Sequence, residues 1–237
     1  NLPSFLNKDS KTMLVPIVSS SRAAQVICEK WENNYHYLPD ALVVEGPKAG
    51  GHLGFKSEQI EDEHYSLEHL IPEVVEVAKT YAGRKNIPVI AAGGISTPED
   101  IAKFIHLGAS AIQMGSVFVP TEECDASIEF KKVYIDSGEK DIRIIQSPVG
   151  MPGRAFDGEF IRKVAEGKEK PRSCPFHCIK TCDYTKSPYC IIKALYNAAK
   201  GNMAKGYAFA GKNAYLASKI SSVKEVIEKL KSGFSLA

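Results

Sequence analysis

Four short apolar runs punctuate the first half of the chain: Leu14–Val18, Ala41–Val44, Pro88–Ala92 and Ala111–Met114. Each is rich in Val, Ile and Ala, the pattern of a strand buried on both faces. Between the runs, apolar positions recur at helical spacing. Ser21–Trp31 places Ala24, Ile27, Cys28 and Trp31 on one face. Leu67–Tyr81 follows the second run after a long polar loop, Pro98–Leu107 follows the third, and Ser127–Asp136 follows the fourth. The third helix carries its own end signals. Thr97 is placed to cap it, Pro98 stands at the first helical position, Glu99 and Asp100 fall in the first turn, and Gly108 closes it. This βαβαβαβα order predicts an α/β fold with a parallel sheet and helical crossovers.

After Ser137 the rhythm loosens. Asp141–Pro152 reads as a short strand running into a loop, Ile191–Ala199 as a helix, and Ser222–Lys231 as a terminal helix with Val223, Val226, Ile227 and Leu230 on its apolar face. The expected division is therefore residues 1–137 and a C-terminal irregular and helical region, 138–237, packing on the first. A closed (β/α)₈ barrel takes about 250 residues and eight strands. With four good strands, this chain is either an open sheet or about the second half of a TIM-barrel type fold.

Composition narrows the function classes. The chain is 44% hydrophobic and 24% charged, with a formal net charge of +2. Lys and Arg are mixed with Asp and Glu, so no basic stripe argues for nucleic acid. No apolar run approaches the roughly 20 residues needed to span a bilayer. The N-terminus has no signal-peptide pattern, and it opens on Asn1 rather than Met, as a processed or truncated chain would. Six cysteines in this length do not predict a secreted disulfide scaffold, so the expected compartment is reducing, the cytoplasm.

Candidate chemistry gathers at the ends of the strand runs. Ala41–Val44 leads into Glu45-Gly46 and then a loop holding Gly50, Gly51, His52 and Gly54. Glycine lets backbone approach a ligand, and histidine transfers protons near neutral pH. The plainer reading is a tight turn with a surface histidine. The third run ends in Gly93-Gly94 and the fourth in Gln113-Met114-Gly115-Ser116. In phosphate-binding barrels the last two strand ends form the anion site with a short helix N-terminus. Here the helix starting near Thr97 is the expected dipole. Two ordinary glycine turns are the alternative. Such a phosphate site with apolar surroundings suits flavin mononucleotide (FMN), and no G-x-G-x-x-G opens a first βα unit for NAD.

Four cysteines, Cys174, Cys178, Cys182 and Cys190, are spaced C-x₃-C-x₃-C-x₇-C. Read as a helical stripe they are small packing residues, the favoured reading, under which no metal is expected. Read as ligands they hold zinc or an iron–sulfur cluster, and a redox disulfide is the third option. His36, His64, His69 and His106 read as structural, Cys28 and Cys124 as packing, and Glu122-Glu123 as a solvated face.

Taken together, Val15–Ala24, Val43–Phe55, Ile87–Ile95, Ala111–Ser127, Ser147–Ala155 and Phe209–Tyr215 resemble the nitronate monooxygenase family, formerly 2-nitropropane dioxygenases. Flavin-dependent enoyl-acyl carrier protein reductases share part of the pattern. The resemblance implies a (β/α)₈ barrel binding FMN, of which this chain supplies strands five to eight and the C-terminal region. A preceding half-barrel segment or partner chain is then expected to complete it. It implies that Gly93, Gly94, Gly115 and Ser116 hold the FMN phosphate, and that Gln113 lies near the ribityl chain or ring. It further implies that Ser19 and Glu45 face the flavin, that Gly50 and Gly51 let their loop approach it, and that Lys212 and Asn213 border the mouth. His52 is implied as the base acting on a small-molecule nitroalkane, or as the group that hydrogen-bonds a nitronate. The implied reaction converts a nitronate to a carbonyl compound and nitrite with oxygen. The alternatives are an NAD(P)H-dependent flavin reductase of the same fold, or a half-barrel that does no chemistry.

Overall fold

A computed structural model describes residues 1–7, 9–180 and 182–232. Seven strands follow in chain order: β1 (Ile17–Val18), β2 (Leu42–Glu45), β3 (Gly51–His52), β4 (Val89–Ala92), β5 (Ala111–Gln113), β6 (Ile142–Gln146) and β7 (Pro152–Phe156). The α-helices are α1 (Ser21–Tyr35), α2 (Leu67–Lys79), α3 (Pro98–His106), α4 (Ile128–Asp136), α5 (Glu159–Ala165), α6 (Ile191–Ala199) and α7 (Val223–Ser232). The chain forms two compact units. Asn1–Lys48 and Ser57–Met114 make the first; Ala49–Lys56 and Gly115–Ser232 make the second. No helix among the described residues is long and apolar enough to cross a membrane.

The first unit is a four-stranded, all-parallel sheet in the order β1-β2-β4-β5. Its central strands are the predicted apolar runs. Leu42, Val43, Val44, Val89 and Ala91 are buried, as strands covered on both faces must be. β1 is shorter than its apolar run because Pro16 has no N–H to give the ladder. The ladder begins with the Pro16 carbonyl accepting from Val43 N at 3.0 Å. Asp40 fixes the segment just before it, accepting from Leu14 N at 2.7 Å and from Lys85 Nζ at 2.7 Å. α1 runs past Trp31 to Tyr35 and stops where His36 turns left-handed, φ 51°. α3 ends as expected, with Gly108 at φ 103°. The sheet's edge strands are β1 and β5, and beside the first of them Met13 (73%), Val15 (40%) and Ile17 (56%) are exposed.

The second unit is more regular than the sequence suggested. β6 and β7 form an antiparallel hairpin, and β3 joins the other side of β7, giving the order β3-β7-β6. β7 alternates strictly between two apolar clusters. Ala155 faces one with Ile145, Phe160, Tyr189 and Tyr207, and Phe156 faces the other with Tyr134, Ala208 and Ala214. Gly206 is required where the chain crosses α6: a Cβ there would stand 2.2 Å from the Ala194 carbonyl oxygen. α4, expected as the fourth crossover helix, belongs to this unit. α7 keeps only Leu230 buried, while Ile227 of its expected apolar face is 39% exposed. Glu122 and Glu123 stand on a solvated face as expected, and both carboxylate oxygens of Glu123 also accept from Val223 N, at 3.0 and 2.9 Å, capping α7.

Candidate functional site

The carboxyl edge of the parallel sheet brings together five of the expected residues in the first unit. Glu45 pairs laterally with Ala92, and Ala92 with Gln113. Ser19 follows Val18, whose partner is Val44, so it extends the same transverse row. Gly93 and Gly94 leave the row at φ 98° and 78°, a left-handed pair that side-chain-bearing residues rarely adopt. Burial pushes the half-buried Glu45 carboxyl above its ordinary range. The stem of Lys48 lies across Gly94, where an added Cβ would stand 2.7 Å from the lysine Cβ. Sequence reasoning passed over Lys48 because a lone surface lysine carries no pattern.

The start of α3 is a different matter. Thr97 Oγ1 accepts from Asp100 N at 3.2 Å, and Asp100 Oδ2 accepts from Ser96 N and Thr97 N at 2.9 and 3.1 Å. The Thr97 end of this capping box was legible in the sequence, but the box has a consequence that reading overlooked. The donors are engaged, and the carboxylates of Glu99 and Asp100 already occupy the positive end of the dipole. The expectation that α3 lends its N-terminus to an anion is corrected on that ground.

The second unit holds His52. β3 fixes its backbone by pairing His52 with Gly153 and Gly51 with Arg154. Its Nε2 lies 2.7 Å from Ser147 Oγ, and its ring meets Phe209 edge-on with centroids 5.0 Å apart. Burial lowers the imidazole pKa below its ordinary 6.5, so the ring is neutral at pH 7. The surface-turn alternative does not describe this histidine, which is half-buried and held by two partners. Ser147 is itself buried and hydrogen-bonded to the Tyr189 hydroxyl, which reaches the Tyr207 hydroxyl at 3.1 Å. A line of hydroxyls therefore runs inward from the histidine. Ser147, Tyr189, Tyr207 and Phe209 were absent from the expected site because they lie far along the chain from His52; Ser147 and Phe209 open two of the family-like motifs, and that was the signal that could have found them.

The remaining glycines divide by role. A Cβ on Gly50 would stand 2.6 Å from Ala210 C and Gly211 N, so that glycine is required by a close approach of backbone. Gly51, φ 83°, and Gly115 meet nothing within 4 Å. Ser116 Oγ accepts from Gly211 N at 3.0 Å, tying the turn after β5 to the 210–211 segment. Lys212 and Asn213 follow that segment, both half-buried.

These features define an α/β protein with its candidate groups at the carboxyl edge of a parallel sheet, and the comparisons give its class. The family described as nitronate monooxygenase matches residues 3–233, and the chain belongs to it. A probable nitronate monooxygenase of Staphylococcus saprophyticus is 33% identical over 129 residues, covering 54% of this chain and 34% of that protein. The match thus spans about a third of that relative's length. Among solved structures, FabK from Thermotoga maritima superposes with a TM-score of 0.71 at 26% identity, covering 99% of this chain and 65% of that one. Nitroalkane oxidase from Streptomyces ansochromogenes shares the fold, with a TM-score of 0.66 at 24% identity over 94% of this chain and 57% of that one. The parallel-sheet α/β architecture is the one these enzymes have, and the family is one of flavin-dependent oxidoreductases.

Proposed function

We propose that this chain is the second half of an FMN-binding (β/α)₈ barrel that oxidises alkyl nitronates, with residues 1–137 supplying barrel strands and 138–237 the C-terminal region. The observation that carries the reading is the transverse row Ser19, Glu45 and Gln113 at the carboxyl edge of one parallel sheet, ending in the left-handed pair Gly93-Gly94. Barrel enzymes place their chemistry on that edge. The residues fit the cofactor. The left-handed glycines carry no Cβ that would keep a ligand away from the backbone, and Lys48 adds a cation beside Gly94 for a phosphate. Gly93, Gly94, Gly115 and Ser116 are assigned the FMN phosphate. Ser19, Glu45, Gly50, Gly51 and Gln113 are assigned the remainder of the cofactor. FMN, when bound, supplies the electron-accepting ring.

His52 is assigned the proton. Its neutral ring accepts the α-proton of a nitroalkane. In the tautomer that donates from Nε2 to Ser147, the lone pair stands on Nδ1. Ser147 and Phe209 hold the ring, and once the substrate is a nitronate no proton need be removed. Carbonyl compound and nitrite are the products, with oxygen consumed.

The test has two arms. Flavin released from the purified protein is expected to be FMN. His52→Asn is expected to cut turnover of a neutral nitroalkane by about 10²-fold or more while sparing the pre-formed nitronate. Equal loss on both substrates removes the base role, and a protein that retains no flavin removes the assignment in favour of a non-catalytic half-barrel. The FabK likeness, at 26% identity over nearly the whole chain, favours a second reading, an NAD(P)H-dependent flavin reductase. Rapid anaerobic bleaching of the flavin by NADPH, with none by a nitronate, selects it.

A further inference from the structure

The segment between α5 and α6 is not the packing stripe its spacing suggested. No α-helix or strand lies between Ala165 and Ile191 among the described residues. Cys178 and Cys182 are exposed and Cys174 and Cys190 half-buried, whereas Cys28 is wholly buried in the core of the first unit. A free thiol kept for its apolar bulk belongs inside, as Cys28 is. These four are free thiols on an irregular surface segment, yet all four line one cavity of about 180 Å³, with His177 and Tyr189 among its other walls. Thiolates gathered this way repel one another unless a cation sits among them.

We propose that Cys174, Cys178, Cys182 and Cys190 ligate a [4Fe–4S] cluster in this cavity. Cavity and spacing choose between the two kinds of centre that four thiolates hold. A zinc ion holds four sulfurs about 2.3 Å from one point, which brings them within roughly 4 Å of each other. Among the described residues no three His, Cys, Asp or Glu side chains stand close enough to share one ion. All four thiols nevertheless line the same cavity, and a cage with an iron at each of four corners takes one thiolate per corner. Lys180, on the same cavity wall, offsets the negative charge that four thiolates give such a cluster. The inference is independent of the flavin reading, since none of the residues assigned to FMN enters it.

Cluster transfer tests it without any activity assay. The full chain, reduced and anaerobic, is mixed with a preformed [4Fe–4S] cluster carrying four small-molecule thiolates. Each protein thiol gives its proton to a departing thiolate and takes its place on iron, with no change in oxidation state. About four iron and four sulfide per chain are expected, with a broad visible absorption that dithionite bleaches and an electron paramagnetic resonance signal in the reduced form. Cys178→Ser and Cys182→Ser alter exposed side chains, so unchanged circular dichroism with loss of bound iron is expected for each. One zinc per chain in protein isolated without chelator, and no transfer of iron, overturns the proposal. So does iron retained in full by both serine variants, or failure of the intact chain to take up iron at all.

Discussion

At the scale of single residues, the predictions centre on His52. Because burial lowers its pKa, the neutral form persists below pH 6.5. Activity on a neutral nitroalkane is expected to rise with pH through a midpoint lying below that value. The same shift acts on stability. The unfolded chain binds the proton more readily, so stability from this group is fully present above pH 6.5 and falls as pH drops through the lower folded-state value. Ser147→Ala removes the partner of Nε2 and frees the tautomer. It is expected to move this midpoint and lower kcat more than it changes KM, and an unchanged pH profile would show that Ser147 only fills space. Glu45 has the opposite sign. Its raised pKa means that ionisation costs the folded state, so Glu45→Gln is expected to raise the melting temperature at pH 7, with the gain vanishing below pH 4.5. His52 was legible in the sequence because glycines surround it. Ser147 was not, for it lies 95 residues away and the contact exists only once β3 has paired with β7.

At the scale of elements, local signals were legible where the stabilising contacts are local. The capping box of α3 spans four residues, and its Thr97 cap was readable, although the return contact from Asp100 was not read. Thr97→Ala is expected to cost about 1 kcal/mol, measured by denaturant unfolding. β7 was hidden for the opposite reason. Its sequence, PGRAF, opens on Pro and Gly, which signal a turn, and a proline is tolerated there only because it is the first residue of the strand. β3 is two residues long and one of them is glycine, too short for any periodicity. Gly50 and Gly115 look alike in the sequence, but only one has a neighbour that forbids a side chain. Gly50→Ala is expected to destabilise the fold by several degrees, since it meets backbone at 2.6 Å, while Gly115→Ala is expected to leave the melting temperature unchanged.

At the scale of the whole molecule, the βα rhythm revealed a parallel sheet of the right order, and the sheet's two edges carry the half-barrel proposal. β1 and β5 each pair on one side only, and exposed Met13, Val15 and Ile17 flank the first. Such an edge invites another strand. Ile17→Lys is expected to reduce association of the chain with itself or with a preceding barrel segment, read as a shift in sedimentation toward the single chain. Indifference to the charge would argue that nothing pairs there. What the pattern of apolar runs did not reveal is the way the two units interleave, with Ala49–Lys56 belonging to the later one. Contact between segments a hundred residues apart leaves no trace in a window of ten.

That interleaving has a consequence for synthesis. Every strand of the four-stranded parallel sheet has been translated by residue 114, so its internal pairings can form early. The lateral neighbour of His52 is Gly153, which emerges about a hundred residues after it. The backbone of His52 has no strand partner until that later segment has been made, so a residue early in the message is among the last to be set.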